Sequence, residues 1–339
     1  MMDLNTIWFV LTGVLLIGYA VLDGFDLGVG ISHLLARNET ERRTFINAIA
    51  PVWDGNEVWL LTAGGALFAA FPPVYAAVFS GFYLAMMLLL VALIARAVSM
   101  EFRGKVDAQG WRRVWDWGFG IGSLVSALLL GVAYGNILRG IPLDNTGHYT
   151  GTFLDLLNPF ALLVGVLGLL LFSMHGATYL ALKVEPELRS TMPARATRLW
   201  MGFVVFFIIV TGATLLTSPF LFQNILGSPL FWMLFILLLA SVLLYPIALK
   251  SGRYALAFTA SAATIASIMG VSFLSLFPRL VPASNDPGFS LTVYNASSTH
   301  VTLSVMLIIA CIGVPVVIGY TVFIYRVFKG KVTLGPDSY

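Results

Sequence analysis

Residues 51–73 read PVWDGNEVWLLTAGGALFAAFPP. A proline opens this stretch and a proline pair closes it. Between them lies room for one helical passage of a bilayer core, which needs about 20 mainly apolar residues. The first turn carries Asp54, Asn56 and Glu57, and the rest carries no charge. Pro72-Pro73 predicts a tight turn into a second apolar run over 74–98. Outward from this hairpin the same pattern recurs over 6–33, 115–138, 159–182, 199–222, 228–249, 254–276 and 301–327, making nine runs. Asn158-Pro159 opens the fifth run and Gly227-Ser228-Pro229 the seventh.

Composition agrees. Of 339 residues, 59% are hydrophobic and 10% charged, against roughly a quarter charged in a soluble domain. Mean hydropathy is +0.91. Only a bilayer can solvate that much apolar surface. The expectation is an all-α integral membrane protein, one membrane domain over 1–339, with about nine transmembrane helices. The longest outer loops, 139–158 and 277–300, leave no room for a soluble domain. The first run is too long for a signal peptide and lacks a basic region before it, so it reads as a retained helix.

The basic residues orient the chain. With the amino terminus outside, the inner segments carry Arg37, Arg42 and Arg43; Arg103, Lys105, Arg112 and Arg113; Lys183, Arg189, Arg195 and Arg198; Lys250 and Arg253; and Arg326, Lys329 and Lys331. The outer segments carry only Arg139 and Arg279. This split obeys the positive-inside rule, with a periplasmic amino terminus and a cytoplasmic carboxyl terminus. Arg96 lies near the cytoplasmic end of the third helix, from which it can snorkel. The net charge of +3 reflects these loops, so nucleic acid is excluded as a partner.

Several chemistries drop out. Cys311 is the single cysteine, which leaves no disulfide and no cysteine framework for zinc or iron–sulfur. GFDLGVG at 24–30 lies inside a helix with no strand before it, which rules out a dinucleotide loop. No HExxH, Walker loop or CxxC occurs. Gly24/Gly28, Gly118/Gly122 and Gly131/Gly135 read as close helix contacts.

Ionisable residues inside a membrane are costly and mark function by default. Asp23 and Asp26 are three apart, as are Asp54 and Glu57, so each pair shares a helix face. Both pairs fall in the cytoplasmic half, with Asn56 beside them. A low-dielectric setting disfavours the carboxylate anion, which suits such groups to carrying protons. The competing reading for each aspartate is a cap or an interhelical hydrogen bond. Trp53 and Trp59 flank the acids and read first as packing or an interfacial belt. Trp115 and Trp117, around Asp116, read as an interfacial belt. His33, His148 and His300 lie at ends or loops; only His175 is deep in a helix, where a hydrogen-bonded role outweighs haem ligation.

The segments GFDLGVG at 24–30, RNETERR at 37–43 and PVWDGNEVWLLTAGGALFAAFP at 51–72 resemble subunit II of the cytochrome bd ubiquinol oxidases. So do FSGFY at 79–83, WDWG at 115–118, LLNPF at 156–160, GATYL at 176–180 and NASS at 295–298. The likeness covers essentially the whole chain. It implies two four-helix bundles plus one peripheral helix, paired with a haem-bearing subunit I. That partner would ligate two b-type haems and one haem d and oxidise quinol. The complex would reduce dioxygen to water, drawing protons from the cytoplasm without pumping. A structural quinone or lipid and a small accessory subunit are further expectations. Residue by residue, Asp54 matches a carboxylate at the mouth of a proton path, and Trp59 an aromatic near oxygen access. Asp23 and Asp26 match the acidic pair of the first helix. Glu57 stands where some members have glutamine, as does His175, and Val293-Tyr294-Asn295 departs from a tryptophan–aspartate pattern. A proton-coupled secondary transporter is the alternative, given the buried carboxyls and four-helix units. The visible spectrum of the complex discriminates the two.

Overall fold

The computed structural model describes residues 3–186, 191–223 and 225–335; Arg189 lies outside them. The helices, in order, are α1 (Leu4–His33), α2 (Glu39–Ile49), α3 (Trp53–Ala70), α4 (Pro72–Gly81), α5 (Tyr83–Phe102) and α6 (Gln109–Arg139). Then come α7 (Pro159–Lys183), α8 (Met192–Thr217), α9 (Pro229–Lys250), α10 (Tyr254–Leu276) and α11 (His300–Val327). Eight of these are long and apolar enough to cross a membrane. The remaining expected passage is α3, which spans 18 residues, about 27 Å at the α-helical rise, but begins with the polar turn noted above.

Helix starts follow local chemistry. The Asp3 side chain accepts from Thr6 N–H at 2.7 Å, and the Asn158 side chain accepts from Ala161 N–H at 3.0 Å with Pro159 in the first turn. Both satisfy donors that a helix start leaves free.

Four expectations shift, the first being that the run expected over 115–138 begins at Gln109. The run 74–98 becomes two helices broken at Phe82, and the second continues to Phe102. The sixth run begins at Met192 rather than 199, because Pro193 is tolerated in a first turn, and it ends at Thr217 before Pro219. A short amphipathic helix, α2, occupies the connection between α1 and α3; Asn38 caps it by accepting from Glu41 N–H at 2.8 Å. Its acids Glu39 and Glu41 lie in the first turn, where the helix dipole favours them.

The glycine pairs do face neighbours. A Cβ on Gly28 of α1 would lie 2.0 Å from the Phe172 carbonyl oxygen of α7, and one on Gly176 of α7 would lie 2.3 Å from Gly28 C. The two backbones touch, which only glycine permits. Gly122 meets α5 at Ala92, and Gly135 meets α7 at Ala161. Thus α1 and α7 form the centre, and α11 lies outermost, mostly unburied.

The two ends differ. Trp8, Phe9, Phe71, Ile141, Val281 and Leu303 pack together at the end that holds the start of α1. There a small antiparallel ladder joins Arg279–Val281 to Leu291–Thr292. Phe45, Ile49, Met100, Phe119 and Met192 pack at the other end. The carboxyl-terminal segment returns to this basic end, where Val332 N–H donates to the Lys183 carbonyl at 2.9 Å.

Candidate functional site

The acid-bearing turns of α1 and α3 meet α5 inside the bundle. Arg96 of α5 makes two parallel contacts with Asp23 of α1, at 2.7 and 3.0 Å. Its Nη1 also donates to Glu57 of α3 at 3.2 Å. The side chains of Arg96 and Asp23 are 0% exposed, and that of Glu57 is 25% exposed. Arg96 therefore does not snorkel. It sits six residues before the end of α5, roughly 9 Å in, and the carboxylates hold it there. A fork–fork guanidinium–carboxylate pair is the strong form of this interaction, and it compensates the burial that would otherwise forbid the charges.

Asp26, also fully buried, accepts from the Asn56 amide at 2.7 Å. Asn56 in turn accepts from the Tyr325 hydroxyl of α11 at 3.1 Å. The other Asp26 carboxylate oxygen is buried without a partner. Asp23 and Glu57 thus share one guanidinium, while Asp26, three residues along α1, is held by Asn56. Asp54 does not join them: it is exposed and makes no hydrogen bond or ion pair among the described residues. It lies one turn before Glu57, and residues three apart on a helix are surface neighbours. The series Asp54, Glu57, Arg96–Asp23 therefore runs from exposed to sealed. Gly55, Gly64 and Gly65 on α3 have open space above them.

Trp59 lies further along α3, its ring against α1 so closely that a Cβ on Gly18 would fall 2.3 Å away. Its indole N–H is buried and unpaired.

A second network was not foreseen. Asp116 of α6 accepts from Arg103 at 2.6 Å and Arg42 at 3.0 Å, and bonds His33 Nε2 at 2.7 Å. Arg103 also reaches Glu39 at 2.8 Å, while Arg112 holds Glu39 and Asp107. Burial pushes the Arg103 guanidinium towards deprotonation, but its bonds to Glu39 and Asp116 outweigh it and raise its pKa. The signal available in the sequence was Asp116 itself, an acid among tryptophans that demands a cation. The interfacial-belt reading of Trp115 and Trp117 left that demand unaddressed.

His175 bonds Ser261 Oγ at 2.7 Å and the Val21 carbonyl at 3.1 Å, and stacks on Phe258. His33 is tied to Asp116, and His148 and His300 are exposed. Among the described residues no group of three His, Cys, Asp or Glu is placed for a metal ion.

Fold and cluster together define a polytopic helical membrane protein with a buried acid–base site near its basic end. A family model described as Cytochrome bd terminal oxidase subunit II matches residues 4–328. The cytochrome bd-I ubiquinol oxidase subunit 2 of Escherichia coli (strain K12) is 40% identical over 361 aligned positions, covering 97% of this chain and 95% of the relative. The cytochrome bd ubiquinol oxidase subunit 2 of Bacillus subtilis (strain 168) is 38% identical, covering 98% of each. The solved bd oxidase from Geobacillus thermodenitrificans superposes with a TM-score of 0.80 at 18% identity, over 97% of this chain and 99% of the other, and supports the fold. The chain belongs to the cytochrome bd terminal oxidase subunit II family. It is a multi-pass component of a quinol:dioxygen oxidoreductase complex in the bacterial inner membrane, alongside subunit I, and haem cofactors belong to that complex.

Proposed function

We propose that this chain supplies the proton-uptake side of the oxidase, lines part of an oxygen route, and stabilises a subunit I that ligates two b-type haems and one haem d. Quinol, oxidised on subunit I, is the electron donor for four-electron reduction of dioxygen to water. In this reading α1, α3, α4 with α5, and α6 form one four-helix bundle, and α7 to α10 the other. With peripheral α11 this makes nine passages. The amino terminus is periplasmic and the carboxyl terminus cytoplasmic, as the basic-residue asymmetry requires.

The observation that carries the proposal is the gradation from exposed Asp54 through half-buried Glu57 to sealed Asp23 and Arg96. A proton relay needs an outer acceptor, an intermediate carboxyl and an inner site whose charge is compensated. Two carboxylates bind the guanidinium, and Asp26, held by Asn56 with its other oxygen unpartnered, is the inner group free to take a proton. Trp59, whose ring packs at the α1–α3 contact, shapes oxygen access in this reading. A structural quinone or lipid and a small accessory subunit complete the proposed complex.

Asp54→Asn tests the relay. Quinol-driven oxygen consumption should fall about ten-fold or more, in the range a single positioned proton-transfer group supplies, while haem content and assembly stay intact. Unchanged turnover in an intact complex removes Asp54 from the path. The transporter alternative predicts no haem absorbance in the purified native complex, and the family membership argues against it.

A further inference from the structure

Beside the Asp116 network lies a cavity of about 230 Å³, lined by His33, Leu34, Arg42, Arg113, Asp116 and Trp117. We propose that it holds the phosphate headgroup of an anionic membrane phospholipid.

Charge is the first argument. The Asp116 carboxylate is already engaged by Arg103, Arg42 and His33, so it leaves little negative charge to repel an anion. Arg113 is exposed and has no ion pair or hydrogen bond among the described residues. Arg42 spends Nη1 on Asp116, and its side chain is 35% exposed, which leaves Nη2 as a donor for the cavity. Two guanidinium groups thus meet one cavity with donors to spare, and a phosphate matches their geometry.

The second argument is position. The cavity lies at the basic end of the helices, between the end of α1, the start of α2 and the second turn of α6. Basic pockets between transmembrane helices at this level suit anionic lipid headgroups. Val114, Trp117 and Ile121 are 64%, 55% and 47% exposed. Their spacing puts them on one stripe of α6, leading from the cavity towards the bilayer centre. An acyl chain lies along that stripe while the Trp117 indole sits at headgroup depth. A free phosphate would use the arginines and leave the stripe unused.

The inference gives a place to the lipid proposed above and is independent of the proton route, because its test reads lipid occupancy. The complex with its partner subunit is delipidated in mild detergent, then titrated with phosphatidylglycerol, phosphatidylethanolamine or inorganic phosphate. Bound lipid is counted by native mass spectrometry. Wild type should retain phosphatidylglycerol preferentially. Arg113→Gln should weaken that binding about five-fold, the effect of one basic side chain near an anionic headgroup, with haem content unchanged. Arg113→Lys should restore most of it. Equal binding by wild type and Arg113→Gln overturns the proposal. So does phosphatidylethanolamine binding as tightly as phosphatidylglycerol, or displacement of the lipid by millimolar inorganic phosphate.

Discussion

Replacing Arg96 by methionine removes the cation on which three helices converge. Asp23 would be left 0% exposed with no counter-charge, and Glu57 would lose its bond at 3.2 Å. Deleting one partner of a buried ion pair costs about 3–5 kcal/mol. Coulomb attraction gives the same scale, about 4 kcal/mol for charges about 4 Å apart at an effective permittivity near 20. Removing both charges is a different perturbation, because apolar replacement of a buried pair is often close to neutral. Arg96→Met with Asp23→Leu should therefore be more stable than Arg96→Met alone, and the cycle should show coupling of about 2 kcal/mol or more. The assay is thermal inactivation of the detergent-purified complex, read by size exclusion with haem absorbance for all four proteins. Single-variant losses that simply add in the double variant would refute the pairing.

Two further outcomes follow from packing and hydrogen bonding. Gly28→Val should lower yield and thermal stability by the overpacking cost of about 1–3 kcal/mol or more, because its Cβ would sit 2.0 Å from the Phe172 carbonyl; Gly212→Ala, with nothing within 4 Å, is the control. His175→Leu should cost about 0.5–1.5 kcal/mol for each of the hydrogen bonds lost to Ser261 Oγ and the Val21 carbonyl, yet leave the reduced-minus-oxidised haem spectrum of the assembled complex unchanged; a missing haem band would make His175 a ligand.

Much of the architecture was legible along the chain, because a bilayer imposes a length and a composition on each passage. The capped start at Asn158-Pro159 and the turn at Phe71 before the proline pair fall where residue chemistry puts them. The close approaches at Gly28 and Gly135 were signalled by glycine spacing. The break at Phe82 was not: it follows Ser80-Gly81, a turn-favouring pair that a hydropathy reading of the run 74–98 passes over. Nor was α2, whose 11 residues are polar enough to pass for a loop.

For the site, sequence by itself determined which acids lie within the apolar helical runs and which pairs share a helix face, since helical periodicity and the rarity of charge in such runs are local facts. Only the tertiary structure decided how they are partnered. Asp23 and Arg96 are 73 positions apart, and Asn56 and Tyr325 are 269 apart. No periodicity within one helix encodes such a meeting. Helix rotation and depth, set by packing against neighbours, turned Arg96 inward to the acids, left Asp54 on the surface, and drew His33, Arg42 and Arg103 onto Asp116. A charge buried in a low-dielectric bundle must find its opposite; which opposite it finds depends on where the helices bring their side chains.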